Sequence, residues 1–214
     1  MPSKRTSRPA GKGRRGRRAG SSGNREAILA AARARFAAVG FDRATIRAIA
    51  ADAGVDPALV MYFFGSKEQL FLAAIEIATR PVPAVLEPGR RGLGERLVRF
   101  YLDLWDSEET RDAVAAIVRS ASSHEGAESL VRAFLGSQIF EPLAAELGSP
   151  EARLRAVLCG SQLVGLAVTR YLVAVEPLAS LDREQLVAAV APTLDRYLTG
   201  PLPAAASPAA SPPG

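Results

Sequence analysis

Side chains that could support catalysis or bind a metal are sparse in this sequence. A single cysteine, Cys159, excludes an intramolecular disulfide and any multi-cysteine metal site. The single histidine, His124, leaves little for a zinc site or a His-based triad. Ser120, Ser122 and Ser123 lie just before this histidine, but no acid or oxyanion-binding group can be assigned to them, and a polar loop explains them better. We therefore predict no metal, no cofactor and no enzymatic activity, and we expect Cys159 to be buried in a core.

Positive charge is concentrated at the N-terminus, where it could neutralise phosphates. The chain has 27 Lys or Arg residues and 22 Asp or Glu residues, which gives a net charge of +5. Residues 1–25 hold nine of the basic residues and no acidic one, so residues 26–214 carry a net charge of −4. A segment rich in Gly, Ser, Pro and Arg buries too little surface to fold alone, yet it can bind nucleic acid electrostatically. We predict a disordered basic tail over residues 1–22, with a merely solubilising tail as the alternative.

Two short helices separated by a sharp turn are predicted over residues 45–64. Thr45 is a suitable N-cap for the first helix. The apolar residues of that helix recur on one face, at Ile46, Ile49, Ala50 and Ala53. Gly54 can end it, and Asp56-Pro57 supplies an N-cap and a first helical residue for the second helix. So short a turn forces a steep crossing angle, and the resulting helix-turn-helix lets the second helix enter a major groove of DNA.

The second helix contains an unusual run of six large apolar residues at 59–64. One face of a helix cannot bury six consecutive side chains, so we expect Leu59, Tyr62 and Phe63 to point away from the core. Exposed apolar groups of this kind usually mark a contact surface. The alternative is that all six lie in a crowded core or in a subunit interface.

One helix before this motif and one after it complete the predicted unit. A helix capped by Ser22 or Asn24 precedes the motif and ends at Gly40. Another helix, at about 67–79, follows it. The amine of Lys67 and the free N–H groups of that helix's first turn would suit a backbone phosphate, although an exposed lysine is usually only solvated.

Residues 24–78 contain four sequence patterns that occur together in one known type of domain. They are Ile28-Leu-Ala-Ala-Ala-x-x-x-Phe36, Gly40-Phe41, Thr45-x-x-x-Ile49-Ala50-x-x-Ala53-Gly54-Val55 and Phe64-x-x-Lys67-x-x-Leu70. On these patterns the segment resembles the N-terminal domain of the TetR (tetracycline-repressor) family of bacterial transcription regulators. The resemblance implies a DNA-reading helix at 57–64 and phosphate contacts from the positions of Thr45, Tyr62 and Lys67. Met61 stands where the family commonly has tyrosine or histidine.

The predicted DNA contacts divide into backbone contacts and contacts with base edges. Apolar side chains at base edges favour contact with thymine methyl groups. The residues predicted to contact the DNA backbone are Arg43, Thr45, Arg47, Tyr62 and Lys67. The residues predicted to lie nearest the base edges are Ala58, Leu59 and Phe63, and Met61 on the same helix is also a predicted DNA-binding residue.

The rest of the chain shows helical patterns and no convincing strand. Helices are predicted at about 93–106, 109–121, 127–147, 151–175 and 182–198. The Pro- and Gly-rich segment 81–92 is predicted to be a linker, and the Pro/Ala/Ser-rich segment 200–214 a disordered tail. The predicted fold is all-α, with about nine helices. A helix-turn-helix DNA-binding domain at 23–80 precedes a helical ligand-binding and dimerisation domain at 81–199.

Residues 151–175 are apolar on nearly every side of the predicted helix. We do not predict a membrane span here, because Gln162, Thr169 and Arg170 interrupt the apolar run. We instead expect one face in the domain core and another in a subunit interface. The resemblance implies that the last two long helices pair with those of a second subunit in a four-helix bundle. The predicted interface residues are Gly160, Gly165, Val168, Leu172, Leu186, Val190 and Leu194.

The central helices could surround a cavity for a mostly apolar organic molecule. The predicted lining residues are Phe100, Tyr101, Leu104, Trp105, Phe134, Gln138, Gln162 and Thr169. Ordinary core packing is the alternative for each of them. The resemblance implies that an inducer bound here would move the helix that begins at Lys67 and change the distance between two DNA-reading helices.

Together these observations predict a homodimeric repressor. It would occupy a palindromic DNA operator and leave it when a small organic effector binds. No signal segment or membrane span is expected, so the predicted location is the cytoplasm, on the nucleoid when bound to DNA. The alternatives are an activator, a non-specific nucleic-acid binder driven by the basic tail, and an enzyme that merely contains a similar packing unit.

Overall fold

The computed structural model describes residues 16–121 and 127–202, with side chains from residue 22 onward and without that of residue 109. The described residues form helices and no strand, which confirms the all-α prediction. The helices are α1 Gly16–Arg43, α2 Ile46–Asp52, α3 Pro57–Phe64, α4 Lys67–Ile75, α5 Val82–Leu86, α6 Leu93–Asp106, α7 Glu108–Ser120, α8 Ala127–Leu135, α9 Glu141–Leu147, α10 Ala152–Ala167 and α11 Arg183–Thr199.

Short turns of other helical types extend or join several of these helices. A 3₁₀ turn, Glu76–Ala78, follows α4, and a π turn, Val168–Leu172, follows α10. A second π turn, Gly136–Phe140, joins α8 and α9 into one rod. With that rod counted once and the five-residue α5 left aside, the described chain contains the nine helices that were predicted.

Helix α1 begins earlier than predicted and is interrupted where predicted. It starts at Gly16, inside the segment expected to be a disordered tail. Residues 1–15 and 203–214 of the two predicted tails lie outside the described residues. Gly40 has φ 76° and ψ 170°, a conformation open to glycine that interrupts the helix before Phe41.

The caps of the helix-turn-helix are those predicted from the sequence. The Thr45 hydroxyl accepts a hydrogen bond from the backbone N–H of Ala48 at 3.2 Å and caps α2. The Asp56 carboxylate accepts one from the backbone N–H of Ala58 at 2.7 Å and caps α3. Gly54, between them, has a left-handed φ of 66°. These local interactions fix both ends of the turn.

An aromatic cluster packs α4 against α1. Phe71 is fully buried, and its ring lies edge-on to Phe36 at 5.1 Å and to Phe41 at 5.2 Å between ring centroids. A bidentate ion pair between Arg35 and Asp52 joins α1 to α2, with N–O distances of 2.8 and 2.6 Å. The same apolar core continues into α7, which packs along α1.

A second core lies between α6, α10 and α11 and also includes α5. The segment 81–92 was predicted to be a linker, and this was wrong in part because Val82 and Leu86 are buried one helical turn apart in α5. Pro81 and Pro83 fall at its start, where the missing N–H breaks no helical hydrogen bond. At the C-terminal end of α11, Arg155 of α10 donates hydrogen bonds to the carbonyls of Tyr197 and Gly200 at 2.7 and 2.9 Å.

One stretch, Lys67–Leu86, has the length and apolar composition of a weak candidate for a membrane span. In the structure this stretch is divided among α4, the 3₁₀ turn, a turn at Pro81 and α5. The side chains of Leu70 and Ile75 within it are fully buried in the core. Core packing therefore accounts for its apolar character.

Candidate DNA-binding surface and internal cavity

Helix α3 buries two side chains and presents an apolar and aromatic face to solvent. Val60 and Phe64 are buried, whereas Tyr62 is 81% exposed and Met61 is 43% exposed. Phe63 is half-buried and packs edge-on against Tyr62, with ring centroids 5.5 Å apart. The expectation that the run could not be fully buried is confirmed for Tyr62. Leu59 and Phe63 were expected to point outward, but both are half-buried because the short helix lies close to the core.

Hydrogen-bond donors suited to phosphates lie beside this face. Arg43, Thr45 and Arg47 are all exposed around the start of α2. The Thr45 hydroxyl accepts the capping bond from Ala48, so its own hydrogen can be donated outward. Arg43 Nε donates to the carbonyl of Val39 at 3.1 Å, which holds that side chain against the end of α1.

Lys67 has a structural contact at the position predicted to meet a phosphate. Its half-buried amine donates to the carbonyl of Asp42 at 3.1 Å and lies 4.4 Å from the centroid of the Phe41 ring. It therefore joins the start of α4 to the end of α1. An ammonium group has three N–H donors, so the phosphate contact stays a prediction.

Two further contacts were not anticipated from the sequence. The Arg25 guanidinium lies over the Phe64 ring of α3, 5.4 Å from its centroid, although this arginine had been counted only as part of a basic tail. Ser120 is fully buried, and its hydroxyl accepts the N–H of Phe41 at 3.2 Å. Ser122, Ser123 and His124 lie outside the described residues. The Ser120 bond links α7 to the end of α1, where the interruption at Gly40 leaves the N–H of Phe41 available as a donor.

A partly open cavity of about 110 Å³ lies between the 3₁₀ turn after α4, helices α6, α7 and α10, and the π turn after α8. Its wall is almost wholly apolar. The lining residues are Ala78, Thr79, Leu97, Phe100, Tyr101, Leu104, Val114, Ile117, Val118, Leu135, Ile139, Phe140, Gly160, Leu163 and Val164. Phe100, Tyr101 and Leu104, which were predicted to line a ligand cavity, are among these residues, and their contact with a ligand stays a prediction.

The other five predicted lining residues do not face this cavity. Phe134 and Gln138 line an open groove between α4 and α8 instead. Trp105 packs instead against Tyr171 of the π turn after α10, with parallel rings 5.0 Å apart. Helix α10 turns Gly160, Leu163 and Val164 toward the cavity, so that Gln162 and Thr169 fall on other faces. The error arose because helical spacing alone does not determine which face meets which neighbour.

The cavity has two polar side chains. The buried Thr79 hydroxyl donates to the carbonyl of Glu76 at 3.0 Å. Burial raises the pKa of Tyr101 to about 12, so its phenol stays protonated across the physiological range. No charged side chain is among the lining residues of the described structure.

Side-chain hydrogen bonds hold the far side of α6. The Tyr171 hydroxyl donates to Asp106 at 3.2 Å, and the same carboxylate accepts from Arg183 at 2.9 Å. Arg183 also donates to Asp103 at 2.5 Å. These bonds join α6 to the π turn after α10 and to the start of α11. They therefore hold in place the helix that carries Tyr101.

An apolar stripe lies exposed along α10 and the π turn that follows it. It comprises the exposed residues Leu154, Val157, Val164, Gly165 and Leu172 and the half-buried Val168; an added Cβ on Gly165 would meet nothing within 4 Å. Contiguous apolar surface of this kind is typical of a protein interface.

The predicted interface was wrong for several residues of α10 and α11. Leu186 and Leu194 are fully buried in their own subunit's core, and Val190 is half-buried against that core. Gly160 lacks a side chain because Phe140 packs there, 2.7 Å from where a Cβ would lie. The outward face of α11 instead carries Ala188, Ala189 and Pro192. Gly165, Val168 and Leu172 remain compatible with the prediction.

Cys159 is the buried core residue that was expected. It is 1% exposed, and burial raises the pKa of its thiol to about 12. The thiol therefore stays protonated at neutral pH and lacks the thiolate that nucleophilic or metal-binding chemistry needs. Within residues 16–121 and 127–202, no group of three or more metal-ligating side chains comes together.

Two family models match the chain. The model for bacterial regulatory proteins of the tetR family matches residues 28–74, and the model for the tetracyclin repressor-like C-terminal domain matches residues 92–198. No curated protein matches the chain significantly.

Solved structures of regulators are similar over most of the chain. A TetR-family regulator from Streptomyces coelicolor A3 is 36% identical, with coverage of 87% of this chain and 99% of that one and a TM-score of 0.60. NalD, the secondary repressor of the MexAB-OprM multidrug efflux pump in Pseudomonas aeruginosa, is 20% identical, with coverage of 83% and 97% and a TM-score of 0.64. FadR from Bacillus subtilis in complex with stearoyl-CoA is 15% identical, with coverage of 83% and 99% and a TM-score of 0.62. The latter two show the shared fold.

The exposed face of α3, the caps that hold it and these matches lead to one conclusion. The chain belongs to the TetR family of bacterial transcriptional regulators and is a DNA-binding, helix-turn-helix protein.

Proposed function

We propose that the protein is a homodimeric repressor that occupies a palindromic operator and is released by a small organic effector. The observation that carries this proposal is the pair of exposed apolar surfaces in one chain, one on α3 and one on α10. Each surface exposes large apolar side chains to water, which is unfavourable, so we expect each surface to bind a partner. DNA suits the first surface because hydrogen-bond donors flank it, and a second copy suits the uncharged stripe on α10.

Two-fold pairing along α10 and α11 would give the dimer two DNA-reading helices. The small outward residues Ala188 and Ala189 of α11, with the bare backbone at Gly165 of α10, allow two such helix pairs to approach closely. A symmetric dimer with α3 helices about 34 Å apart would match half-sites one DNA turn apart. The operator is then palindromic because the protein is two-fold symmetric.

In the proposed complex α3 lies in the major groove and the start of α2 lies on the phosphates. Ala58, Leu59, Met61 and Phe63 are the residues nearest the base edges, and Arg43, Thr45, Arg47, Tyr62 and Lys67 bind the backbone. Apart from Tyr62, α3 has no side chain that can form a hydrogen bond with a base. Contact with thymine methyl groups is therefore the main source of sequence preference available to this helix.

The cavity is placed to transmit effector binding to the DNA-binding unit. Ala78 and Thr79 in its wall immediately follow α4, whose other end is joined to α1 through Lys67 and Asp42. A ligand that widens the cavity would displace this end of α4 and alter the spacing of the two α3 helices. Such a ligand releases the operator only if it binds the displaced state more tightly than the DNA-bound state.

Two relatives of the same fold support an effector of this kind. NalD is described as a repressor of a multidrug efflux pump, and the FadR structure contains stearoyl-CoA. We extend to this chain only the general inference that an organic molecule binds inside the C-terminal domain. We also propose that the protein works in the cytoplasm and is associated with the nucleoid when bound to its operator.

The dimer and its role can be tested together. Sedimentation velocity of the full chain should show a dimer, and Leu154→Arg should make it monomeric because the substitution places a charge on a 54% exposed apolar site of the stripe. Arg153→Ala, at the neighbouring exposed position, is the matched control and should remain dimeric. In a reporter strain, Leu154→Arg should raise transcription from the operator. A monomeric wild-type chain on DNA, or lower transcription in the variant, would overturn the dimer or the repressor assignment respectively.

A further inference from the structure

We infer that α3 recognises its operator through the C5-methyl groups of pyrimidine bases, so that 5-methylcytosine can replace thymine at the contacted positions and uracil cannot. This inference rests on the proposed function, because it names the chemical feature of the operator that the same face of α3 would bind. It comes from the composition of that face, from the state of the polar groups beside it and from the chemistry of base edges in the major groove.

The outward face of α3 is determined by the two side chains that the helix buries. Val60 and Phe64 are one turn apart, and both are buried in the core. The opposite side of the helix therefore faces away from the core, and Ala58 and Tyr62, which are also one turn apart, are exposed there. Met61, at one edge of this side, is 43% exposed.

The side chains around Tyr62 on this face have almost no capacity for hydrogen bonds. Leu59 lies half-buried at the other edge of the face. The side chains of Ala58 and Leu59 contain only carbon and hydrogen, and the thioether of Met61 is a weak acceptor and no donor. These three residues can therefore distinguish bases only through apolar contacts.

The polar groups beside the face have other assigned roles. The Asp56 carboxylate accepts the backbone N–H of Ala58 at 2.7 Å, which holds it at the start of α3 as the N-cap. The ring of Tyr62 packs edge-on against Phe63, with centroids 5.5 Å apart, and its hydroxyl is proposed to bind the DNA backbone. Apolar contacts are then the remaining basis for a choice between bases.

The C5-methyl group of thymine is the apolar feature that base edges present in the major groove. Burial of one methyl group against an apolar side chain favours binding by about fourfold. 5-Methylcytosine carries its methyl group on the same ring atom as thymine, whereas uracil has the polar edge of thymine and no methyl group. A reader of methyl groups should therefore accept thymine and 5-methylcytosine alike and should reject uracil and ordinary cytosine.

Three random-sequence DNA libraries separate the methyl group from the polar edge of the base. One contains the ordinary bases, the second contains uracil in place of thymine, and the third contains 5-methylcytosine in place of cytosine. The full-length protein would select from each library at physiological salt. We expect a palindromic site with invariant thymines from the first library, the same site with thymine or 5-methylcytosine at those positions from the third, and no such site from the second.

Single replacements in the recovered site measure the size of the effect. Uracil at a thymine that faces α3 should weaken binding by about fourfold, and 5-methylcytosine at the same position should bind within about twofold of thymine. Uracil at thymines outside the contacted positions should have no effect. Fluorescence anisotropy with labelled duplexes measures each affinity.

The Leu59→Ala variant tests the assigned contact. It should lower the preference for thymine over uracil to below about twofold at one position of each half-site and leave it unchanged at the others. Leu130→Ala, which shortens a half-buried leucine on α8, is the matched control and should keep the whole pattern. Circular dichroism shows whether each variant is folded. A preference for thymine that is unchanged in Leu59→Ala would overturn the assignment, because it would then come from the shape of the DNA.

The libraries also distinguish failure of this inference from failure of the proposed function. Recovery of one palindromic site with equal affinity from the thymine and uracil libraries would overturn the inference and leave the operator-binding role intact. Binding of 5-methylcytosine no better than that of ordinary cytosine would also overturn it, since the polar edge of the base would then be read. Enrichment of no sequence from any library would overturn the proposed function itself.

Discussion

The face of α3 and the internal cavity are both built from apolar and aromatic side chains, yet they hold those side chains in opposite ways. On α3, Tyr62 is exposed on a helix of eight residues whose ends are fixed by Asp56 and Gly65. In the cavity, Tyr101 is surrounded by residues of α6, α7, α10 and the π turn after α8. The first arrangement presents a surface that a large partner such as DNA can reach. The second leaves space only for a small molecule, the effector proposed above.

The two regions are joined by a small number of polar contacts beside a shared core. The Ser120 hydroxyl of α7 accepts a hydrogen bond from the backbone N–H of Phe41, and the Lys67 amine of α4 donates one to the carbonyl of Asp42. Phe41 and Asp42 both lie at the end of α1, so both bonds attach to that end. Because α4 also leads to the cavity wall at Ala78, a change in the cavity can reach α3 through packed helices rather than through a flexible linker.

The largest expected effect is on the core that supports both regions. Phe71→Ala should lower the free energy of unfolding by about 3–5 kcal/mol, because it removes a fully buried ring that contacts Phe36 and Phe41. Urea unfolding followed by circular dichroism measures it. Met61→Ala, on the exposed face of α3, is the control and should cost less than about 1 kcal/mol. A loss below about 1 kcal/mol for Phe71→Ala would show that the shared core is not cooperative.

Tyr62→Ala should separate DNA binding from folding. Operator affinity should fall by about 30-fold or more, as for an aromatic residue at the centre of an interface. The free energy of unfolding and the dimer should stay unchanged because the side chain is 81% exposed. Fluorescence anisotropy with labelled operator measures the affinity, and Tyr62→Phe, which keeps the ring, should show a smaller loss. If the alanine variant unfolds or dissociates, Tyr62 belongs to a structural interface instead.

Ser120→Ala tests the hydrogen bond between the two regions. The variant leaves the buried N–H of Phe41 without an acceptor, which should cost about 1–3 kcal/mol in the free energy of unfolding. Ser137→Ala removes an exposed hydroxyl that binds the carbonyl of Phe134 and should cost less than about 0.5 kcal/mol. Equal, small losses for the two variants would mean that Ser120 contributes nothing to the link.

The smallest effect is the pH dependence of stability that Tyr101 contributes. Burial raises its pKa to about 12 in the folded state, whereas an unfolded tyrosine ionises near its ordinary value of 10.0. Its contribution is therefore complete below pH 10 and is lost between about pH 10 and 12. Over that range the wild type should lose on the order of 1 kcal/mol more stability than Tyr101→Phe. Parallel curves for the two proteins would show that Tyr101 is solvated. The Cys159 thiol titrates in both and cancels in the comparison.

The sequence was most informative where structure is decided by neighbours along the chain. Thr45, Gly54, Asp56 and Pro57 act within one helical turn, and the structure shows each in its predicted place. Short α5 was missed because its prolines suggested a linker, although proline is compatible with the first turn of a helix.

The choice of helix face could not be predicted in the same way. Leu186 and Leu194 were correctly identified as apolar positions of a packed helix, but the spacing does not say whether the partner is the same subunit or another. Likewise Tyr101 and Trp105 lie one turn apart, yet only Tyr101 reaches the cavity, since the crossing of α6 with α10 turns Trp105 toward Tyr171. Crossing angles are set by distant residues, which local patterns do not contain.

The most direct test of the account is a selection of genomic fragments at physiological salt by two proteins, the full chain and a chain lacking residues 1–15. If the exposed face of α3 reads DNA, both proteins should recover the same palindromic site, and the shortened chain should bind it more weakly and with a shallower dependence on salt. If only the full chain recovers DNA, and does so without sequence preference, then the basic tail binds the nucleic acid and the central claim about α3 is wrong.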